Sequence, residues 1–235
     1  LHISPGAGAS GDMRQFRAPG VSVRVKYDQA FVAELEARAR EDGLPAGTRG
    51  ERDKSLDHGT VIPLVFVNER YTDYQLVRTG LSGLTMAEHY RFGQCIRDTA
   101  DKLGRKTVLI ASGDLSHKLK ADGPYGYAEE GVRFDRELTG AMAKGDFMKF
   151  LSFTSAFAEK AAECGLRSCV ILAGALDGKS VESELLSYEG PFGVGYGIAS
   201  FIPAGDDPNR RFLTKYLEQE SDRLRMIKDG EDDYV

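Results

Sequence analysis

The chain carries only four histidines in 235 residues, so each can be weighed by its neighbours. His117 closes the stretch Ser112-Gly113-Asp114-Leu115-Ser116-His117, directly after the apolar run Thr107-Val108-Leu109-Ile110-Ala111. An apolar run bounded by polar turns suits a buried strand. Ligands of open α/β sheets collect at the carboxyl ends of such strands. An imidazole placed there can give or take a proton near neutral pH, with Asp114 and Ser116 as hydrogen-bonding neighbours. The bland alternative is a loop histidine that caps structure. His58 stands in Leu56-Asp57-His58-Gly59-Thr60, where the glycine lets backbone and ring approach an ion and Asp57 can support the imidazole from behind. An isolated His-Gly pair is more often an ordinary turn. Glu163 and Cys164 sit side by side in Ala161-Ala162-Glu163-Cys164-Gly165-Leu166-Arg167-Ser168, at a break between two helical stretches. Either could ligate a metal, and the carboxylate would suit iron in a two-histidine, one-carboxylate site. The commoner fate is a solvated glutamate beside a small core cysteine. His89 reads as a packing residue of a helix, and His2 is not expected to reach the site.

The elements that must position these residues alternate between strand and helix. Residues 21–25 alternate apolar and polar side chains as a strand does, and Asp28 opens a helix through about Arg40. Residues 45–60 read as a loop that delivers Asp57 and His58 to the apolar stretch 61–67, which holds Pro63. Residues 75–77 suggest a short strand, and 85–103 has helical periodicity. After 107–111, helices are expected at 128–143, 145–152, 155–163 and 168–176, and closing strands at 185–188 and 195–202. This order predicts an α/β fold with a largely parallel central sheet flanked by helices. Gly190-Pro191-Phe192-Gly193-Val194-Gly195 lacks the order of a phosphate-binding loop and reads as a turn between strands. Asp206-Asp207-Pro208 marks a linker, so residues 1–204 form the expected main domain and 205–235 a charged helical extension.

Composition narrows the partners. Apolar residues make up 41% and charged residues 29%, enough to build a core. A net charge of −5 argues against a nucleic-acid surface. No apolar run approaches the ~18 residues of a membrane span. Three cysteines without a disulfide or metal-finger spacing fit a reducing, cytoplasmic setting. The remaining partners are small molecules, metals and proteins.

Asp57-His58-Gly59, Ser112-Gly113-Asp114-Leu115-Ser116-His117, Glu163-Cys164-Gly165-Leu166-Arg167-Ser168 and Gly174-Ala175-Leu176-Asp177-Gly178 together resemble, in order and spacing, the LigB-like class III extradiol dioxygenases. Pro191-Phe192-Gly193-Val194-Gly195-Tyr196 is similar to that family's closing segment, so the resemblance covers about residues 1–203. The subgroup most similar is the AmmeMemoRadiSam type, and residues 224–235 resemble the opening of its AMMECR-type domain. The resemblance implies Fe(II), with zinc as a substitute, and a small aromatic substrate opened with O2. It implies His58 as the second metal-ligand histidine, His117 as acid/base, and an acidic ligand at Glu163 or Cys164. Glu163 is the first choice because oxygen suits Fe(II), although Memo-type members use cysteine at this place. The family's first ligand histidine and first strands lie upstream of the matched region, so they are expected to be absent from this chain. A homodimer or an AMMECR-type domain is the implied protein partner. A Memo-like regulatory protein that holds the metal without ring cleavage is the alternative.

Overall fold

The computed structural model describes residues 1–50 and 54–232, with side chains placed through residue 225. The fold is mixed α/β. In chain order it comprises β1 (His2–Ile3), β2 (Gly8–Met13), β3 (Ala18–Lys26), α1 (Gln29–Glu41), α2 (His58–Asn68), β4 (Thr79–Gly80), α3 (Met86–Lys102), α4 (Glu129–Lys144), α5 (Phe147–Ser152), α6 (Ser155–Ala161), α7 (Leu166–Ala175), β5 (Lys179–Glu189), β6 (Tyr196–Asp206) and α8 (Phe212–Asp232). Residues 224–235, expected to open a further domain, lie partly outside the described residues.

Local chemistry explains where the helices start. The Asp28 carboxylate accepts the Phe31 N–H at 3.0 Å and caps α1. Thr85 and Glu88 form a reciprocal capping box at the head of α3. Asp57 caps α2 by accepting the Thr60 N–H at 3.0 Å and the Thr60 hydroxyl at 2.7 Å. Pro63 lies inside α2. A proline has no N–H to give the carbonyl four residues earlier, which here belongs to Gly59. That carbonyl accepts the Ser112 hydroxyl at 2.6 Å instead, tying α2 to the loop before His117.

The expected largely parallel sheet is not found among the described residues. The ladders are three two-stranded antiparallel pairs: β1 with β4, β2 with β3, and β5 with β6. Parallel pairing is confined to single bridges, His2 to Gly47 and Tyr27 to Leu76. Residues 75–77 therefore contribute one bridge and no strand. The run 107–111 is not a strand either. Leu109 packs against an apolar cluster, but Val108 is 88% exposed and Ile110 46%. A sheet strand needs neighbours for its N–H and C=O groups, and no described segment pairs its backbone with this one.

The largest core cluster gathers Phe134, Leu138, Phe147, Phe150 and Leu151 with Leu166 and Val170 of α7. Phe212, Leu213 and Tyr216 of α8 pack against it. A second cluster joins Ile3, Leu35 and Phe92, and a third joins β3 to α2 through Val23, Tyr27, Val61 and Leu64. Helices α3 and α7 cross backbone to backbone, since a Cβ on Gly174 would run into the Tyr90 carbonyl. This crossing fixes the C-terminal half of α7, the helix that follows Glu163 and Cys164.

Candidate metal centre

Two backbone turns meet to make the site. A Cβ on Gly113 would collide with the Gly165 backbone, so glycine there permits the loop 112–117 to lie against the turn 163–165. The Cys164 N–H donates to the Asp114 carbonyl at 3.3 Å, and the Asp114 N–H points at the Cys164 sulfur at 3.2 Å. Ala162 turns the chain just before, in the left-handed region at φ 53° and ψ 44°. The result is a cluster of Asp114, His117 and Cys164 whose potential ligand atoms all lie within 4.8 Å of one another. His117 Nε2 stands 3.1 Å from Asp114 Oδ2 and 4.0 Å from Cys164 Sγ. The His117 side chain is 17% exposed and that of Asp114 41%, so the cluster opens to solvent on the carboxylate side.

Glu163 is not one of the three clustered residues. Its carboxylate accepts the Leu166 N–H at 2.6 Å and serves the first turn of α7. Burial raises its pKa, against the lowering effects of that N–H, of Arg167 and of His117. His58 is the first residue of α2, with its ring against Phe16 at 5.3 Å and Nδ1 3.5 Å from the Gln15 amide. It is not one of the three clustered residues, although Gly59 and Ser112 bind its helix to their loop. Asp57 acts as the cap of α2. Ser116 is fully buried and braces the loop, its hydroxyl donating to the Ala161 carbonyl at 2.9 Å and accepting the Lys118 N–H.

Three neighbours escaped the sequence reading. Asp135 of α4, 1% exposed, accepts the Ser116 N–H and the Tyr188 hydroxyl, each at 2.7 Å. Burial raises its pKa, with the two hydrogen bonds pulling the other way. Tyr125 stacks on His117 with ring centroids 4.9 Å apart. Tyr196 lies near enough to Asp114 for that carboxylate to help raise its phenol pKa, behind the larger effect of burial. The aromatic-rich Gly-Pro-Tyr-Gly-Tyr turn at 123–127 was the available signal for Tyr125. Asp135, in the middle of an amphipathic helix, gave none.

The donor set fits a metal ion. An imidazole nitrogen, a carboxylate oxygen and a thiolate sulfur at these separations can share one first-row cation. Three protein ligands leave positions open for water or substrate. Cys164 is exposed as a residue, yet its sulfur lies against the 113–116 loop. Desolvation there raises the thiol pKa, the Asp114 N–H lowers it, and the Asp114 and Glu163 carboxylates raise it further. A bound cation would reverse that balance by stabilising the thiolate.

Residues 5–199 match the family described as the catalytic LigB subunit of aromatic ring-opening dioxygenase. The chain belongs to the LigB family. Protein CA_C1420 of Clostridium acetobutylicum is 37% identical to this LigB-family chain over 234 residues, which is 96% of the chain and 49% of that protein. The LigB chain thus spans about half the length of the curated relative it matches.

Proposed function

We propose that this chain is a metal-dependent domain that opens a catecholic aromatic ring with O2, using Fe(II). The observation that carries the reading is the Asp114, His117 and Cys164 cluster in a LigB-family chain. Cys164 and Asp114 would hold the ion beside His117, and His58 would complete the set as the resemblance implies. Bound there, Fe(II) would supply Lewis acidity and the redox partner that O2 chemistry needs. His117 takes a proton from a substrate hydroxyl. Asp114 Oδ2, 3.1 Å from Nε2, orients the ring. The Ala161 carbonyl accepts the His117 N–H at 3.2 Å, and Asp135 accepts the Ser116 N–H beside it, so that the backbone under the ring stays in place. Substrate approaches on the exposed Asp114 side. The larger parallel sheet belongs to the same proposal, with 107–111 as one of its strands.

A second reading is favoured by one observation, the cysteine and not the glutamate facing the cluster. That is the Memo-type pattern, and it supports a metal-binding regulatory role, in partnership with an AMMECR-type domain, without ring cleavage. Anaerobic loading with Fe(II) followed by O2 exposure with a catechol panel separates the two. Ring opening predicts O2 uptake and ring-fission absorbance, reduced about 10²–10⁴-fold in His117→Ala. Bound iron that consumes no O2 with any catechol would support the regulatory reading instead.

A further inference from the structure

A histidine at a metal site is ordinarily oriented through its second ring nitrogen, which donates to a carboxylate, a backbone carbonyl or water. His117 has a further neighbour. Its Nε2 faces Asp114 and Cys164, and no hydrogen bond reaches Nδ1 among the described residues. What lies on the ring instead is Tyr125, stacked at a centroid distance of 4.9 Å and an interplanar angle of 23°. Aromatic rings at such separations attract. Tyr125 is 58% exposed, so the core does not need it.

The segment that carries Tyr125 is built to hold it there. Leu119 and Tyr127 form an antiparallel bridge, and the Ala128 N–H donates to the Lys118 carbonyl at 3.0 Å, so the loop between them is closed at its base. Its flank is tied to the turn before β6. The Leu119 N–H donates to the Gly193 carbonyl at 3.0 Å, and Lys120 Nζ donates to the Pro191 carbonyl at 2.7 Å. Gly126, at φ +74°, takes the left-handed conformation next to the tyrosine. A loop closed and anchored in this way sets a side chain more firmly than a free surface tyrosine would be set.

We propose that Tyr125 is the positioning residue of His117, an aromatic stack that fixes the plane of the imidazole beside the metal ligands. The inference rests on the metal-centre reading for its consequence, though the stack itself needs no metal. The ring face carries the effect and the phenol hydroxyl does not, so phenylalanine should rescue where alanine fails.

The test uses the full chain as wild type, Tyr125→Phe and Tyr125→Ala. Because the side chain is exposed, all three are expected to fold with similar thermal midpoints. In metal-free protein, the His117 ring protons should show an upfield ring-current shift that persists in Tyr125→Phe and vanishes in Tyr125→Ala. Titration with Co(II) should then give an affinity about tenfold weaker for Tyr125→Ala and within about twofold of wild type for Tyr125→Phe. The absence of the shift in the wild type would overturn the proposal. So would equal Co(II) affinity for wild type and Tyr125→Ala, or a Phe variant as weak as the Ala variant. Failure of the wild type to bind Co(II), with the shift present and lost in Tyr125→Ala, would sink the metal reading and leave the stack standing.

Discussion

Glu163 and Cys164 are adjacent in sequence but have different partners, because the head of α7 claims the carboxylate while the thiol joins Asp114 and His117. Their substitutions should therefore separate. Cys164→Ser is expected to weaken Zn(II) or Co(II) binding at least about tenfold, whereas Glu163→Gln, which keeps an oxygen for the Leu166 N–H, should bind within a few-fold of wild type. Calorimetric titration of both variants measures this, and a larger loss in Glu163→Gln would reverse the assignment. Asp135 makes a pH prediction. Burial raises its folded-state pKa above the ordinary 3.8, so the folded chain holds this proton more tightly than the unfolded one. The stability it contributes is complete below that ordinary value and is lost as pH rises through the folded pKa. Asp135→Asn escapes the loss, so its melting temperature relative to wild type should rise between pH 4 and pH 7. Melts that diverge in the wild type's favour over this range would show an ionised, stabilised carboxylate.

At the scale of elements, what was legible depended on whether the signal was local. Helix starts at Asp28 and Thr85 were readable because a cap acts within four residues. The turn 190–195 between β5 and β6 was readable for the same reason. The run 107–111 read as a buried strand and is not one, since periodicity reports a residue's polarity and says nothing about a partner strand. The site was half legible. His117, Asp114 and Cys164 were singled out in sequence, but which of the Glu163–Cys164 pair faces the histidine depends on the Ala162 turn, which no residue type announces. That turn also makes a prediction. Alanine in the left-handed region costs about 1–2 kcal/mol, while glycine there costs about 0.4–1 kcal/mol through the unfolded chain. Ala162→Gly should therefore raise stability by up to about 1 kcal/mol in chemical denaturation, and destabilisation would show that the turn is not strained. Thr85→Ala should cost about 1 kcal/mol by losing the capping box of α3.

Across the whole molecule, the site joins segments far apart in sequence: the head of α2, the loop after 107–111, the turn into α7 and the β5–β6 turn. The interlocked apolar clusters hold these segments together, which is why Phe134→Ala, at the centre of the largest, should cost about 3–5 kcal/mol. The bare face at Val108 behaves differently. With that residue 88% exposed, Val108→Lys should change the stability of this chain by no more than about 0.5 kcal/mol. A loss of about 2 kcal/mol or more would mean that another surface covers it. Among the described residues no helix is long and apolar enough to cross a membrane.

X-ray absorption on the chain loaded with a single equivalent of Zn(II) reports whether Asp114 and Cys164 hold one metal ion beside His117. One sulfur scatterer at about 2.3 Å is expected together with nitrogen and oxygen neighbours, the sulfur disappearing in Cys164→Ser. A fully loaded protein with only nitrogen and oxygen around the metal, indifferent to Cys164→Ser, would contradict it.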